Sequence, residues 1–117
     1  MRFPGEFQMN CSVKLVVGKD KPAIGPGLVS LLEEIAGSSS VMEACSRMDI
    51  SYSKAWKLIR QAEECLGEQL VLRKSGGSRG GAAELTGFAK GFIKNFRKTE
   101  KQLSSYAQRT ILKNFAL

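Results

Sequence analysis

The spacing of apolar residues predicts three helices in the first part of the chain. A first helix is expected over residues 26–36, because its apolar positions recur every three or four residues, and Gly37 is expected to end it. A second helix is predicted over about residues 41–48, capped by one of the three serines before it. A third is predicted over residues 52–66, where the Ser51 hydroxyl can accept hydrogen bonds from the free N–H groups of the first turn.

Two other parts of the chain have the pattern of β-strands. Residues 10–17 alternate polar and apolar side chains, which predicts a short strand followed by a turn. Residues 69–73 and 83–86 are predicted to pair with each other across a glycine-rich basic loop at residues 74–82. This pair of strands would form a two-stranded wing.

The end of the chain is predicted to form one long helix. Thr86 is a suitable cap, and neither proline nor glycine follows Gly91. A helix of about 25 residues would be ~37 Å long, more than a domain of this size needs. Aromatic residues at helical spacing also fit a ligand pocket, but the surplus length favours packing against a second copy of the chain. Dimerisation is predicted through Phe92, Phe96, Leu103 and Tyr106.

The short connection between the second and third helices predicts a helix-turn-helix. Ala44 and Cys45 are small enough for the two helices to approach closely, and Asp49 tolerates the left-handed conformation that the turn requires. With the wing, these elements predict a mainly α fold with a small β wing, a winged helix-turn-helix with a long C-terminal dimerisation helix.

A length of 117 residues agrees with one domain. Residues 1–8 are predicted to form a flexible tail and residues 9–117 a single winged helix-turn-helix domain. Within this domain the wing is expected at about residues 70–86 and the dimerisation helix at about residues 87–114.

Charge and composition limit the kinds of partner and activity that the chain could have. The formal net charge is +7, with a net −1 over residues 1–50 and +6 over residues 51–101, so an anionic partner should meet the second half. The chain has no histidine and only three cysteines without a CxxC pair, which fits neither a zinc site nor acid–base catalysis. We predict no cofactor and no enzymatic activity, and the absence of a long apolar run predicts a cytoplasmic protein.

The exposed face of the third helix and the wing carry the candidate site. Hydrogen-bonding side chains on this helix are suited to base edges in the major groove, and wing cations beside glycines are suited to phosphates. The predicted DNA-binding residues are Ser51, Tyr52, Ser53, Lys54, Lys57, Arg73, Lys74 and Arg79. A merely solvated helix would also display Lys and Ser. Trp56 is expected in the core rather than as a stacking platform, whereas both roles remain open for Tyr52.

The combination of SYxxAW at residues 51–56, GGxxGG at residues 76–81 and Leu85-Thr86 resembles the N-terminal DNA-binding domain of the ModE family of molybdate-responsive repressors. It is more loosely similar to LysR-type winged helices. The resemblance spans about residues 12–110 and implies a dimer whose third helix enters the major groove and whose wing contacts the backbone. Asp49 stands where that family usually has glycine, and binding of molybdate or another oxyanion is not carried over.

The predicted function is therefore a dimeric, sequence-specific DNA-binding transcriptional regulator whose partner is double-stranded DNA. Two alternatives remain. One is a winged-helix protein-interaction or adaptor module, because a fold alone does not fix a function. The other, which the sequence favours least, is an oxyanion-responsive sensor.

Overall fold

The computed structural model describes residues 11–74 and 82–115. In chain order the described elements are β1 (Val17–Gly18), β2 (Pro22–Ile24), α1 (Pro26–Ser38), α2 (Val41–Met48), α3 (Tyr52–Leu66), β3 (Val71–Arg73), β4 (Ala83–Leu85) and α4 (Gly87–Asn114). The predicted fold class, mainly α with a two-stranded wing and a long last helix, is confirmed.

Helix α1 lies at the centre of the core, where it packs against α2, α3 and α4. Its apolar residues recur every three or four positions and are therefore buried on one face, as Leu32 and Ile35 illustrate with no exposed surface. Other elements each contribute a few side chains to the same cluster, including Ile59 from α3, Leu70 from the segment before β3 and Phe96 from α4.

Side-chain caps begin three of the four helices. The hydroxyls of Ser40, Ser51 and Thr86 accept hydrogen bonds from the backbone N–H three residues later, each at 3.1 Å. The predicted caps of α3 and α4 are confirmed, and Ser40 is the serine that caps α2. Each cap fixes where its helix begins.

The end of α1 differs from the prediction. Gly37 does not end the helix, which continues to Ser38, and the left-handed residue is Ser39 with a φ of 57°. The Ser38 hydroxyl donates to the carbonyl oxygen of Glu34 at 2.8 Å, which keeps Ser38 within the last turn.

The predicted strand over residues 10–17 is wrong in extent. Of the described residues 11–18, only Val17–Gly18 pair, and their partner is the short strand Pro22–Ile24. This part of the chain therefore forms a tight antiparallel hairpin. The apolar side chains of Leu15 and Val17 pack against the core, which explains the alternation without a longer strand.

The wing is tied to the helices at both ends. Strands β3 and β4 are antiparallel, with Val71 opposite Leu85, and the backbone N–H of Ala83 donates to the carbonyl of Ser39. The Glu63 carboxylate accepts a hydrogen bond from the N–H of Leu70 at 2.8 Å, which joins the start of the wing to α3. The wing therefore has a fixed position beside α3.

Helix α4 has 28 residues, or ~42 Å at 1.5 Å per residue. Its first half is held on α1 by the buried side chains of Ala89 and Phe96 and by Arg97, which bonds to Glu33 and Ser30 of α1. The second half extends from the domain and contributes to the long dimension of 61 Å, against 30 and 22 Å in the other directions.

Candidate nucleic-acid interface

The turn between α2 and α3 determines how α3 is presented. Asp49 adopts a φ of 55°, as predicted for this position, and the N–H of Ile50 donates to the carbonyl of Cys45 at 3.1 Å. Cys45 and Ala44 are buried at the corner. Burial raises the pKa of the Cys45 thiol. The backbone geometry thus confirms the predicted helix-turn-helix.

One face of α3 is buried and the other is open. Ala55, Ile59 and Ala62 have no exposed surface, because they lie on the side that packs against the core. The opposite side is exposed and consists of polar and charged side chains: Ser53, Lys54, Lys57, Arg60, Gln61 and Glu64. We call this side the α3 polar face. It has donors and acceptors of the kinds that read base edges.

The first turn of α3 combines a structural role with exposure. The Ser51 hydroxyl caps the helix and also lies 3.5 Å from the Ser53 hydroxyl. Both serines are exposed, so the N-terminal end of α3 is accessible. The predicted site residue Ser51 therefore has at least one function within the fold itself.

Trp56 joins α3 to the wing. Its side chain is only 8% exposed, which confirms the expected core position, and its indole Nε1 has no hydrogen-bond partner among the described residues. The guanidinium carbon of Arg73 lies 4.1 Å from the ring centroid and that of Arg60 lies 5.8 Å away. Both distances are typical of cation–π contacts. The ring of Tyr52, which is 40% exposed, meets Trp56 edge-on.

The structure brings several predicted residues together. A concave surface between α3 and β3 is lined by Tyr52, Ser53, Trp56, Lys57, Arg60, Gln61, Glu64 and Arg73. Lys54 borders an adjoining concavity that it shares with Ser53 and Lys57. Arg60 was not among the predicted site residues, although its position four residues after Trp56 on a helix would have indicated a contact.

Lys74, the other wing cation among the described residues, pairs within the wing rather than with α3. Lys74 forms an ion pair with Glu84 of the facing strand at 3.0 Å, and both side chains are about half exposed. Arg79 lies outside the described residues. Of the two predicted wing cations that the structure describes, Arg73 is the one that lies beside α3.

The predicted dimerisation residues divide into two groups. Leu103 and Tyr106 are exposed, by 37% and 64%, on the half of α4 that extends from the domain. Phe92 is half-buried against the core. Phe96 is only 4% exposed, because its side chain packs inside this chain, so it is not available to a partner. The prediction that Phe96 contributes to the dimer surface is therefore wrong.

The described residues contain neither a candidate membrane-spanning helix nor a candidate metal-binding cluster. None of the described helices combines the length and apolar character needed to cross a membrane. Among the same residues, no group of three or more Cys, Asp or Glu side chains could hold a metal ion.

The fold and this site define a winged helix-turn-helix protein. The sequence profile described as "Bacterial regulatory helix-turn-helix protein, lysR family" matches residues 27–90, more than half of the chain. The chain therefore belongs to this family. Membership agrees with the predicted function of a DNA-binding transcriptional regulator.

Known proteins with similar sequences support the predicted resemblance to ModE. The chain is 30% identical over 87 residues to "Molybdenum transport protein ModE" of Azotobacter vinelandii, covering 74% of this chain and 32% of that protein. It is 37% identical over 68 residues to "DNA-binding transcriptional dual regulator ModE" of Escherichia coli (strain K12), covering 58% and 26%. The chain thus spans about a third or less of the length of these relatives.

Two solved structures share the fold. A crystal structure of CbnR, a LysR family transcriptional regulator, superposes with a TM-score of 0.54 at 20% identity, covering 74% of this chain and 28% of that chain. A crystal structure of a BenM_DBD/benA site 1 DNA complex superposes with a TM-score of 0.52 at 22% identity, covering 72% and 95%. At these identities the comparison establishes a common fold.

Proposed function

We propose that this chain is a dimeric, sequence-specific transcriptional regulator that places the α3 polar face in the major groove of DNA. The proposal rests on the exposure of the α3 polar face and on the elements that hold it in position. This face is exposed, its position is fixed by the helix-turn-helix corner, and Arg73 of the wing lies beside it. Family membership supports a regulatory rather than a catalytic role. A DNA partner supports the predicted cytoplasmic location.

Each part of the surface suits a different part of DNA. Tyr52, Ser53 and Lys54 occupy the accessible first turn of α3, the part of a recognition helix that contacts base edges. Lys57 and Arg73 both line the concave surface and would contact phosphates. Arg79, in the glycine-rich segment of the wing, and Lys74 are further candidates for the backbone.

A dimer is supported by the exposed apolar side chains on the free half of α4. Leu103 and Tyr106 lie there, together with the exposed Leu112. An apolar surface on a helix that extends from its own domain is suited to a second copy of that helix. Pairing would place two α3 helices at successive major grooves, ~34 Å apart on one side of the duplex.

Selection from a random duplex pool tests the proposal. We expect enrichment of a palindromic sequence, since a two-fold symmetric dimer reads two equal half-sites. Lys57→Ala should reduce recovery of the selected sequence, whereas Lys14→Ala, an exposed lysine outside α3 and the wing, should not. Absence of enrichment with the intact protein would refute the proposal and favour the adaptor function.

A further inference from the structure

Most of the net charge of the chain lies on α4 rather than on α3, the helix proposed to read DNA. Helix α4 carries seven of the 18 Lys and Arg residues and one of the 11 acidic residues, a net charge of +6 out of +7. Helix α3 carries three cations and two acids, a net charge of +1. DNA reading by α3 and dimerisation through apolar residues leave the charge of α4 without a role.

Five of these cations lie on one side of α4. Lys90, Lys94, Lys98, Lys101 and Arg109 fall within an arc of about 100° at 3.6 residues per turn. All five are exposed, and none forms an ion pair with a carboxylate of the described residues. We call this row the α4 cationic ridge. From its first to its last residue it is ~28 Å long.

Arg97, which lies between the ridge residues in the chain, has a structural role instead. Arg97 is half-buried and bonds to Glu33 at 2.7 Å and Glu100 at 2.8 Å. It lies at the edge of the ridge and holds α4 on α1. The five ridge cations have no such partners within the described chain, so they remain available to an external anion.

The ridge lies on the side of α4 opposite to the side that packs on α1. The packed side is marked by Phe96 and Ala89, which are both buried. Helix α1 packs against both α3 and α4. Leu103 lies opposite the ridge, whereas Leu112 falls within its arc near Arg109. A dimer formed through Leu103 therefore leaves the four ridge lysines open.

We propose that the α4 cationic ridge binds the phosphate backbone of a second DNA segment, so that a dimer holding one duplex through α3 bridges it to another. This rests on the proposed function of α3. A duplex presents one negative charge per ~1.7 Å of its axis, which complements a row of closely spaced cations. Four of the five ridge residues are lysines, which bind phosphate as point charges, so contact with the second segment is independent of sequence.

A bridging assay separates the two surfaces. Short duplexes carrying the selected sequence are fixed to beads and loaded with protein, and capture of a labelled duplex lacking that sequence is measured. We expect capture that falls as salt rises, with a slope of about 0.9 per phosphate contact. The triple variant Lys94→Gln, Lys98→Gln, Lys101→Gln should lose capture about tenfold or more, because three phosphate contacts are removed.

The matched control removes three charges elsewhere. Lys14→Gln, Lys19→Gln, Lys21→Gln alters exposed lysines near the start of the described chain. Because Lys19 and Lys21 lie near Gln61 and Glu64 of α3 rather than on α4, capture is measured per protein bound to the beads, and on this scale it should be retained. Binding of the selected duplex should be unchanged in the ridge variant, which also shows that the variant is folded. Equal capture by both variants, or selected-duplex binding without any capture by the intact protein, overturns the bridging inference alone. Failure to bind any selected duplex instead refutes the proposed function.

Discussion

The guanidinium of Arg73 lies over the ring of Trp56, 4.1 Å from its centroid, and so joins the first strand of the wing to α3. This contact covers an indole that is 92% buried by its surroundings and sets the position of an arginine proposed to contact phosphate. The wing and the recognition helix are therefore coupled through two side chains.

Arg73→Ala should uncover Trp56. Since Trp56 is the single tryptophan of the chain, its fluorescence reports this contact directly. We expect a red-shifted emission, greater quenching by acrylamide, and a loss of about 1 kcal/mol in the free energy of unfolding, typical of a cation–π contact. Arg73→Lys should restore part of each effect. Unchanged emission in Arg73→Ala would show that the stacking does not persist in solution.

Ser51 permits stability and DNA binding to be separated. Ser51→Ala removes the cap of α3 and should lower the free energy of unfolding by about 1 kcal/mol. Ser51→Asp keeps a capping oxygen and should retain stability, yet its charge should repel phosphates and weaken DNA binding. Thermal unfolding and a binding titration measure the two effects. Full DNA affinity in Ser51→Asp would place this end of α3 outside the interface.

Arg97 should stabilise the attachment of α4 to α1. Arg97→Ala is expected to lower the free energy of unfolding by about 1 to 2 kcal/mol, because charge-assisted hydrogen bonds to Glu33 and Glu100 are lost. Lys98→Ala, on the exposed side of the same helix, should change it by less than about 0.5 kcal/mol. Denaturant titration measures both, and equal values would contradict the anchoring role.

The contribution of Arg97 to the free energy of unfolding should be the same at neutral and at alkaline pH. Hydrogen bonds to Glu33 and Glu100 raise the pKa of Arg97 above its already high ordinary value. A raised pKa gives stability that is present below the unfolded-state pKa and is lost only as pH rises through the folded-state pKa. The difference between the intact protein and Arg97→Ala should therefore be the same at about pH 7 and about pH 10. A smaller difference at the higher pH would contradict this.

The apolar end of α4 should control the oligomeric state. Leu103→Glu with Tyr106→Glu places two charges on the exposed apolar surface and should convert a dimer to a monomer in sedimentation velocity. Gln102→Glu, an exposed polar neighbour, should leave the dimer intact. A dimer that survives the double substitution would place the interface elsewhere.

Local signals account for the parts of the fold that the sequence predicted well. Ser51, Asp49 and Gly67 act through their own backbone or the adjacent turn, so the bounds of α3 and its turn followed from residue type. Ser39 was missed because Gly37 is the stronger helix terminator by composition, whereas the observed end depends on hydrogen bonds made by Ser38.

Tertiary contacts account for what the sequence did not reveal. Arg73 and Trp56 are far apart in the chain and meet only when the wing packs beside α3. Phe96 has the same helical spacing as Phe92, and only the packing of α1 on α4 distinguishes a core residue from a half-exposed one. Periodicity identifies the apolar face of a long helix. It does not show which apolar residues pack against the same chain and which are left for a second chain.

The most direct test of the central claim compares Lys57→Ala with the intact protein on the selected duplex over a range of salt concentrations. Since Lys57 lies at the middle of the α3 polar face, we predict weaker binding and a salt slope that is smaller by about 0.9, the value for one phosphate contact. Identical affinity and an identical slope would contradict the placement of α3 in the DNA groove.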